Sequence, residues 1–235
     1  MSDRWIIVTG GSRGIGAAIA VDLVARGEKV AALSRSGNAP AGRGIACDVT
    51  DSDALAGVIA GLAAEGGIGG LVNNAGRHVA GPAASLEATE LDGIFHTNAT
   101  APFVVCRLVY PHLKQGGGGV IINIGSFFDK LGVVNNLAYA SSKAALGAIT
   151  RCLAVEWAGD GIRVLNVAPG YVETDLNRTF LADETTRAWL TRRVPLRRPA
   201  KPEEIGRLVA WLIVGDVPFL TGETIYVDGA QGINH

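Results

Sequence analysis

The sequence predicts an α/β protein: a doubly wound parallel sheet with helices on both faces. Three observations predict it. Short β-branched runs alternate with longer helical patterns along the chain, as right-handed βαβ crossovers require. Most of the strand-like runs are apolar throughout, which is how strands covered on both faces read. Glycine supplies 32 of 235 residues, about twice the usual ~7%, without a G-X-Y period, so it must serve tight turns, close packing or backbone approach to a ligand.

The elements follow in order. Residues 5–8 read as the first strand, and a glycine-rich turn leads into a helix over 15–25. Strands are expected at 30–33 and 44–47, then a helix over 52–64 and a strand at 71–72. One long helix is expected over 88–113, with a glycine turn at 116–119 and a strand at 120–124. A helix over 139–157, a strand at 163–167, a helix over 203–214 and a last strand at 224–227 complete the set. Residues 174–202 are the one long stretch without a strand, and they carry charges and two Pro-centred turns. Such an insertion is expected to be a lid over a ligand. No linker divides the chain, so one domain over 1–235 is expected.

Composition excludes several function classes. With 21 basic and 22 acidic residues the net charge is −1, which gives no electrostatic reason to bind nucleic acid or an anionic membrane. Charged residues are 18% and apolar ones 48%, the reverse of a disordered chain. Cys47, Cys106 and Cys152 are scattered and form no C-x-x-C, so a reducing compartment is expected. His78, His96, His112 and His235 lack metal-ligand spacing, and no metal is expected. The N-terminus runs straight into a strand without the pattern of a secretory signal, and no apolar run approaches membrane-spanning length. A cytoplasmic protein is the expectation.

The first strand ends in Thr9-Gly10-Gly11-Ser12-Arg13-Gly14-Ile15-Gly16. Glycine permits the tight turn and the close approach of a pyrophosphate, while the following helix offers free N–H groups and the positive end of its dipole. A strand, this turn and a helix together point to dinucleotide binding through Gly10, Ser12, Arg13, Gly14, Ile15 and Gly16. The spacing T-G-x-x-x-G-x-G resembles that of the short-chain dehydrogenase/reductase family. The later motifs extend the resemblance over essentially the whole chain. It implies a Rossmann-type fold of seven parallel strands in the order 3-2-1-4-5-6-7.

The second strand closes on Ser34-Arg35 with no carboxylate to accept from a ribose 2′-OH. Arg13 and Arg35 together favour a 2′-phosphate, and hence NADP(H) over NAD(H). The alternative is that both are solvated surface arginines. The resemblance implies that Asp48-Val49 lies beside the adenine; Asp48 alternatively caps the helix starting near Ser52. Asn74-Ala75-Gly76 closes the fourth strand, where small residues let backbone approach the cofactor. The resemblance places Pro169, Gly170, Val172 and Thr174 beside the nicotinamide.

Tyr139 and Lys143 are four apart, on one face of a helix. A free phenol has a pKa near ~10, and a neighbouring ammonium together with an oxidised nicotinamide would favour its ionised form. Tyr139 can then exchange a proton with a carbonyl or alcohol. Ser126 ends the fifth strand, thirteen residues before Tyr139, a spacing typical of the resembled family. At a parallel strand's carboxyl end its hydroxyl can polarise a substrate oxygen. The resemblance implies that Asn98 interrupts helical bonding and supports a proton relay through Lys143. The catalytic set is therefore Asn98, Ser126, Tyr139 and Lys143, with Tyr139 and Lys143 also touching the cofactor.

Phe127-Phe128-Asp129-Lys130 departs from the small residues common after the family's serine. Phe127, Phe128 and Tyr171 are expected near the pocket mouth, pointing to an apolar or aromatic ketone or secondary alcohol. A 3-oxoacyl-thioester reductase is the competing substrate class. A non-catalytic NADP(H)-sensing regulator is the reading from another class. Small residues Ala144, Ala145, Gly147 and Ala148, with the family's habit, point to a homo-oligomer, tetramer or dimer.

Overall fold

The computed structural model describes residues 3–174, 183–215 and 217–234. Seven strands form one parallel sheet: β1 (Trp5–Thr9), β2 (Lys29–Ser34), β3 (Arg43–Ala46), β4 (Ile68–Asn73), β5 (Gly119–Ile124), β6 (Ile162–Pro169) and β7 (Thr224–Val227). Their spatial order is β3-β2-β1-β4-β5-β6-β7, as the resemblance implied.

The apolar runs have a simple cause. In β1, Ile7 points into one apolar layer while Ile6 and Val8 point into the other, and all three are buried. A pleated strand sends alternate side chains to opposite faces, so burial on both faces leaves no polar position in the run. Helices α2 (Ser52–Gly66), α4 (Ala101–Gln115) and α5 (Leu137–Trp157) cover one face through Leu55, Ile59, Val105, Val109 and Leu153. Helices α1 (Gly14–Ala25) and α7 (Pro202–Val214) cover the other through Ile19, Leu23, Ile205 and Val209. Helices α1 and α7 cross closely: a Cβ at Gly206 would stand 2.9 Å from the Ala18 carbonyl.

One expectation is corrected and one segment gains an element. The helix expected over 88–113 is α3 (Ala88–Phe95), a π-helical turn (His96–Thr100) and α4. The insertion at 174–202 contains a helix, α6 (Glu184–Arg193), which the sequence did not suggest because its exposed face carries few apolar residues in period. Leu190 is its one buried residue. Residues 175–182 of the expected lid lie outside the described residues, as does His235. No described helix is long and apolar enough to cross a membrane.

Because every strand is parallel, the loops after β1, β4, β5 and β6 emerge at one edge. Strand order reverses beside β1 and β4, which opens the crevice where such folds bind ligands.

Candidate active site

The turn after β1 uses its glycines. Gly10 (φ +66°) and Gly14 (φ +57°) adopt left-handed conformations that other residues resist. A Cβ at Gly16 would stand 2.3 Å from the Gly10 carbonyl oxygen and 2.4 Å from Asn74 Nδ2. That closeness lets Asn74 Nδ2 donate to the carbonyls of Thr9 (3.0 Å) and Gly10 (3.1 Å). Thr9 Oγ1 in turn accepts from the N–H groups of Asn74 (3.0 Å) and Ala75 (3.1 Å). The loops after β1 and β4 are thereby one rigid unit. Helix α1 starts at Gly14 with Arg13 extended, no side-chain cap and no acid in its first turn. Ser12 and Ile15 are half-buried beside it.

Beyond β2, the Ser34 hydroxyl is buried in its own turn, facing Ser36 Oγ (3.3 Å) and the Asn38 carbonyl (3.4 Å). Arg13 and Arg35 are exposed, and neither pairs with a described carboxylate. Asp48 accepts from the Thr50 N–H (2.9 Å) and hydroxyl (2.8 Å), bonds that hold its carboxyl below its usual pKa. It does not cap α2. Asp51 does, accepting from the N–H groups of Asp53 and Ala54. Val49 is half-buried next to it.

Ser126, at the end of β5, is buried, and its Oγ accepts weakly from Phe128 N–H (3.3 Å). Its hydroxyl also neighbours the Tyr139 phenol as a hydrogen-bonding partner. Lys143 Nζ lies 5.8 Å from the Tyr139 ring centroid and donates to the Ile124 carbonyl at 2.7 Å. The three chemical groups therefore converge. Their charge states differ from the simple expectation: burial raises the Tyr139 pKa, Ser126 opposing, and Lys143 is not among the causes. Burial also lowers the Lys143 pKa to about 8. Removing a charge from water penalises the ionised form of each group, so desolvation governs this pair in the ligand-free protein.

The π-helical turn explains Asn98. Its Oδ1 accepts from Arg77 N–H (2.8 Å), while Nδ2 donates to the Arg77 carbonyl (2.8 Å) and Ser142 Oγ (3.1 Å). The amide is fully buried and fully used as a clamp. A Cβ at Gly76 would stand 3.4 Å from Asn98 Oδ1 and 3.7 Å from Lys143 Nζ, so Gly76 keeps that corner open. Helical bonding is interrupted here, as expected, and the Ala101 N–H reaches back to His96.

A buried polar row beneath the site went unread in the sequence. Asn73, Asn123 and Asn166 are in register across β4, β5 and β6. Asn73 Nδ2 donates to Asn123 Oδ1 (2.9 Å), and Asn123 Nδ2 donates to Thr150 Oγ1 (2.8 Å) on α5. This row pins the helix carrying Tyr139 and Lys143 to the sheet. The available signal was an asparagine inside the apolar run Ile121-Ile122-Asn123-Ile124.

At the end of β6, Pro169 is buried, and the following Gly170 allows Asp228 to pass: a Cβ there would stand 2.7 Å from Asp228 Cα. Val172 is buried and bridges to Ala200, whose carbonyl accepts from Glu173 N–H at 2.9 Å. Thr174 comes over the phosphate-type turn, its Cγ2 3.5 Å from where a Gly14 Cβ would be. Of the aromatic residues, Phe128 and Tyr171 flank the site, with Phe128 6.1 Å from the Tyr139 ring. Phe127 is corrected: it is buried, packing under Tyr171 at 5.5 Å, and does not line a mouth. His78, unmarked in the sequence, meets the Tyr139 ring edge-on at 4.8 Å.

A family model described as enoyl-(acyl carrier protein) reductase matches residues 10–231. A short-chain type dehydrogenase/reductase structure from Mycobacterium ulcerans superposes with a TM-score of 0.93 at 25% identity, covering 100% of this chain and 92% of that one. The chain belongs to the short-chain dehydrogenase/reductase family. The 3-oxoacyl-[acyl-carrier-protein] reductase MabA of Mycobacterium tuberculosis is 34% identical over 99% of this chain and 94% of its own. A Beutenbergia cavernae structure, presented as a candidate NAD(P)-dependent gluconate 5-dehydrogenase and holding NADP at low occupancy, is 32% identical. Its TM-score is 0.89, with 98% of this chain and 97% of that one covered. This short-chain dehydrogenase/reductase family uses NAD(P)(H). The residues fit such a cofactor. The α1 N-terminus is uncapped, Gly14 and Gly76 bring no side chain of their own to the crevice, and the buried Lys143 ammonium donates to one carbonyl.

Proposed function

We propose that this chain is an NADP(H)-dependent oxidoreductase interconverting a ketone and a secondary alcohol. The observation that carries the reading is the convergence of Ser126, Tyr139 and Lys143 at the sheet edge that also carries the glycine turn. The cofactor supplies reversible hydride transfer. Tyr139 gives its proton to the carbonyl oxygen in reduction and takes it back in oxidation. Ser126 orients that oxygen and donates to it. Lys143 holds the ribose, and Asn98 keeps the corner beside Lys143 in shape. Gly10, Ser12, Arg13, Gly14, Ile15 and Gly16 would hold the pyrophosphate at the uncapped start of α1. Asp48, Val49, Asn74, Ala75 and Gly76 serve the adenosine and ribose, and Pro169, Gly170, Val172 and Thr174 the carboxamide.

NADP(H) is preferred because Arg13 and Arg35 are exposed cations that form no salt bridge with a described carboxylate, although Arg35 is near enough to Asp48 to help hold its carboxyl ionised, and Ser34 replaces the acid that a 2′-OH would need. In Arg13→Ala/Arg35→Ala, kcat/KM for NADPH falls by about 10²-fold while that for NADH changes little, since two charge-assisted contacts to one phosphate are lost. A wild type that prefers NADH sinks this preference.

The likeness to MabA supports a second substrate reading, a 3-oxoacyl thioester. NADPH oxidation with cyclic ketones, aromatic ketones and a β-ketoacyl thioester separates the two. A non-catalytic sensor would bind NADPH and oxidise it with none of them; the intact set of four residues speaks against it. The chain is read as one domain over 1–235, with an insertion at 174–202 whose residues 175–182 lie outside the described ones; the Val172–Ala200 bridge ties its described ends together. Buried, unpaired Cys47 and Cys106 fit the reducing cytoplasm. Exposed Val155 on α5 and Phe103 on α4 support a dimer or tetramer. Sedimentation at assay concentration is expected to show multiples of 24.3 kDa; monomer alone contradicts it.

A further inference from the structure

Residues 183–201 hold Arg187, Arg192, Arg193, Arg197, Arg198 and Lys201 against only Asp183 and Glu184, in a chain whose net charge is −1. Arg198 is satisfied by Glu204 in a two-pronged pair at 2.6 and 2.8 Å. Arg192 and Arg193 pair with no described carboxylate. Their place at the last turn of α6 suits the helix dipole, and among the described residues no carboxylate takes up their guanidinium donors.

Their position relative to the site is what gives them meaning. A file of rings leads outward from the proposed acid. Tyr139 meets Phe128 at 6.1 Å, Phe128 meets Tyr171 at 6.3 Å, and Tyr171 meets Trp189 at 5.8 Å. The Arg193 guanidinium lies 5.8 Å from the Trp189 ring centroid, at the end of the file. Trp189, Arg192, Arg193 and Asn234 line a cleft of about 470 Å³, within the size range of small-molecule sites. The cleft is braced. Leu190 and Val194 bury themselves against Tyr171, and Asn234 Nδ2 donates to the Arg193 carbonyl at 3.3 Å.

We infer that Arg193, with Arg192 beside it, recognises an anionic group at the far end of an extended, otherwise apolar substrate whose carbonyl lies at Tyr139. The inference deepens the proposed oxidoreductase reading and rests on it. Aromatic faces suit an apolar segment, and forked guanidinium donors suit a carboxylate or a phosphate. Those two anions share the chemistry, and the assay separates them.

The test uses medium-chain methyl ketones ending in a methyl, a carboxylate or a phosphate, with NADPH-loaded wild type, Arg193→Gln and Arg187→Gln. Arg187 lines a different cleft, beside Glu173 and Arg197, so it controls for loss of one charge. In wild type, KM is about tenfold lower for an anion-ended ketone than for the methyl-ended one, the scale of one charge-assisted contact. Arg193→Gln abolishes that advantage and leaves kcat and the methyl-ended KM unchanged; Arg187→Gln keeps it. Which anion gains more identifies the class. Equal KM across the three ketones in wild type, or equal losses in both variants, overturns the inference while leaving the oxidoreductase reading intact. If no ketone is reduced, the simple-ketone reading has failed, and calorimetry with a fatty carboxylate and an alkyl phosphate decides the cleft alone. Binding weakened by Arg193→Gln and not by Arg187→Gln supports it; no binding to wild type overturns it.

Discussion

Tyr139→Phe is expected to bind NADPH as the wild type does and to lose at least about 10²-fold in kcat, the lower range of acid–base catalysis. The ring is held by contacts that do not use the hydroxyl: His78 edge-on at 4.8 Å and Phe128 at 6.1 Å. Phenylalanine keeps both, so the variant folds and the loss reads chemistry alone. Burial raises the phenol's pKa above 10 in the ligand-free protein, with Ser126 pulling the other way. The resting group is therefore a neutral phenol, already a proton donor. Carbonyl reduction then needs no prior ionisation near neutrality, whereas alcohol oxidation needs phenolate and speeds up as pH rises. Steady-state kcat in both directions against pH, with NADPH affinity from nicotinamide fluorescence, checks this. Near-normal turnover of Tyr139→Phe refutes the proposed role.

Lys143→Met is expected to lose at least about 10²-fold in activity at pH 7, and yet not to be less stable by the usual measure of a buried polar deletion. The Lys143 ammonium is buried with one carbonyl partner, and burial lowers its pKa from 10.5 to about 8. The folded state thus holds the proton more weakly than the unfolded chain. Between pH 8 and 10.5 the unfolded chain binds more protons, so stability rises with pH across that window. Below it, the group subtracts up to about 3 kcal/mol. Methionine removes this penalty but strands the Ile124 carbonyl, a loss of about 1–3 kcal/mol. At pH 7 the two nearly cancel. Toward pH 10.5 wild type gains on the variant by up to about 3 kcal/mol. Urea melts of both proteins at the two pH values measure the difference; a gap that does not move with pH rejects a desolvated ammonium. The same titration predicts that wild-type kcat/KM for the cofactor declines above pH about 8.

Much of the site was legible because it is encoded locally. Gly10, Gly14 and Gly16 are required by the backbone they build, and the Tyr139–Lys143 spacing by a helix face. Residues whose work depends on distant partners were not. Asn123 reads as an oddity in an apolar strand until Asn73 and Thr150 stand on either side of it. His78 is remote from Tyr139 along the chain and touches its ring. The break at His96–Thr100 was implied by the resemblance alone, because the helical pattern runs on through it; the clamp that Asn98 closes on Arg77 belongs to another segment. Phe127 and Phe128 are adjacent and chemically alike, yet one is buried and the other flanks the phenol.

By itself the sequence determined the parallel α/β architecture, the glycine turn and the identity of the phenol, ammonium and hydroxyl. The architecture follows from periodicity, the turn from steric limits at single residues and the phenol–ammonium pair from helix geometry over one turn, while the hydroxyl was singled out by the spacing that the resemblance implies. Only the tertiary structure decided the charge state of Tyr139 and Lys143, the asparagine row under them, and the file of rings ending at Arg193. Burial, and contacts between segments far apart along the chain, exist only once the sheet and helices have closed around them.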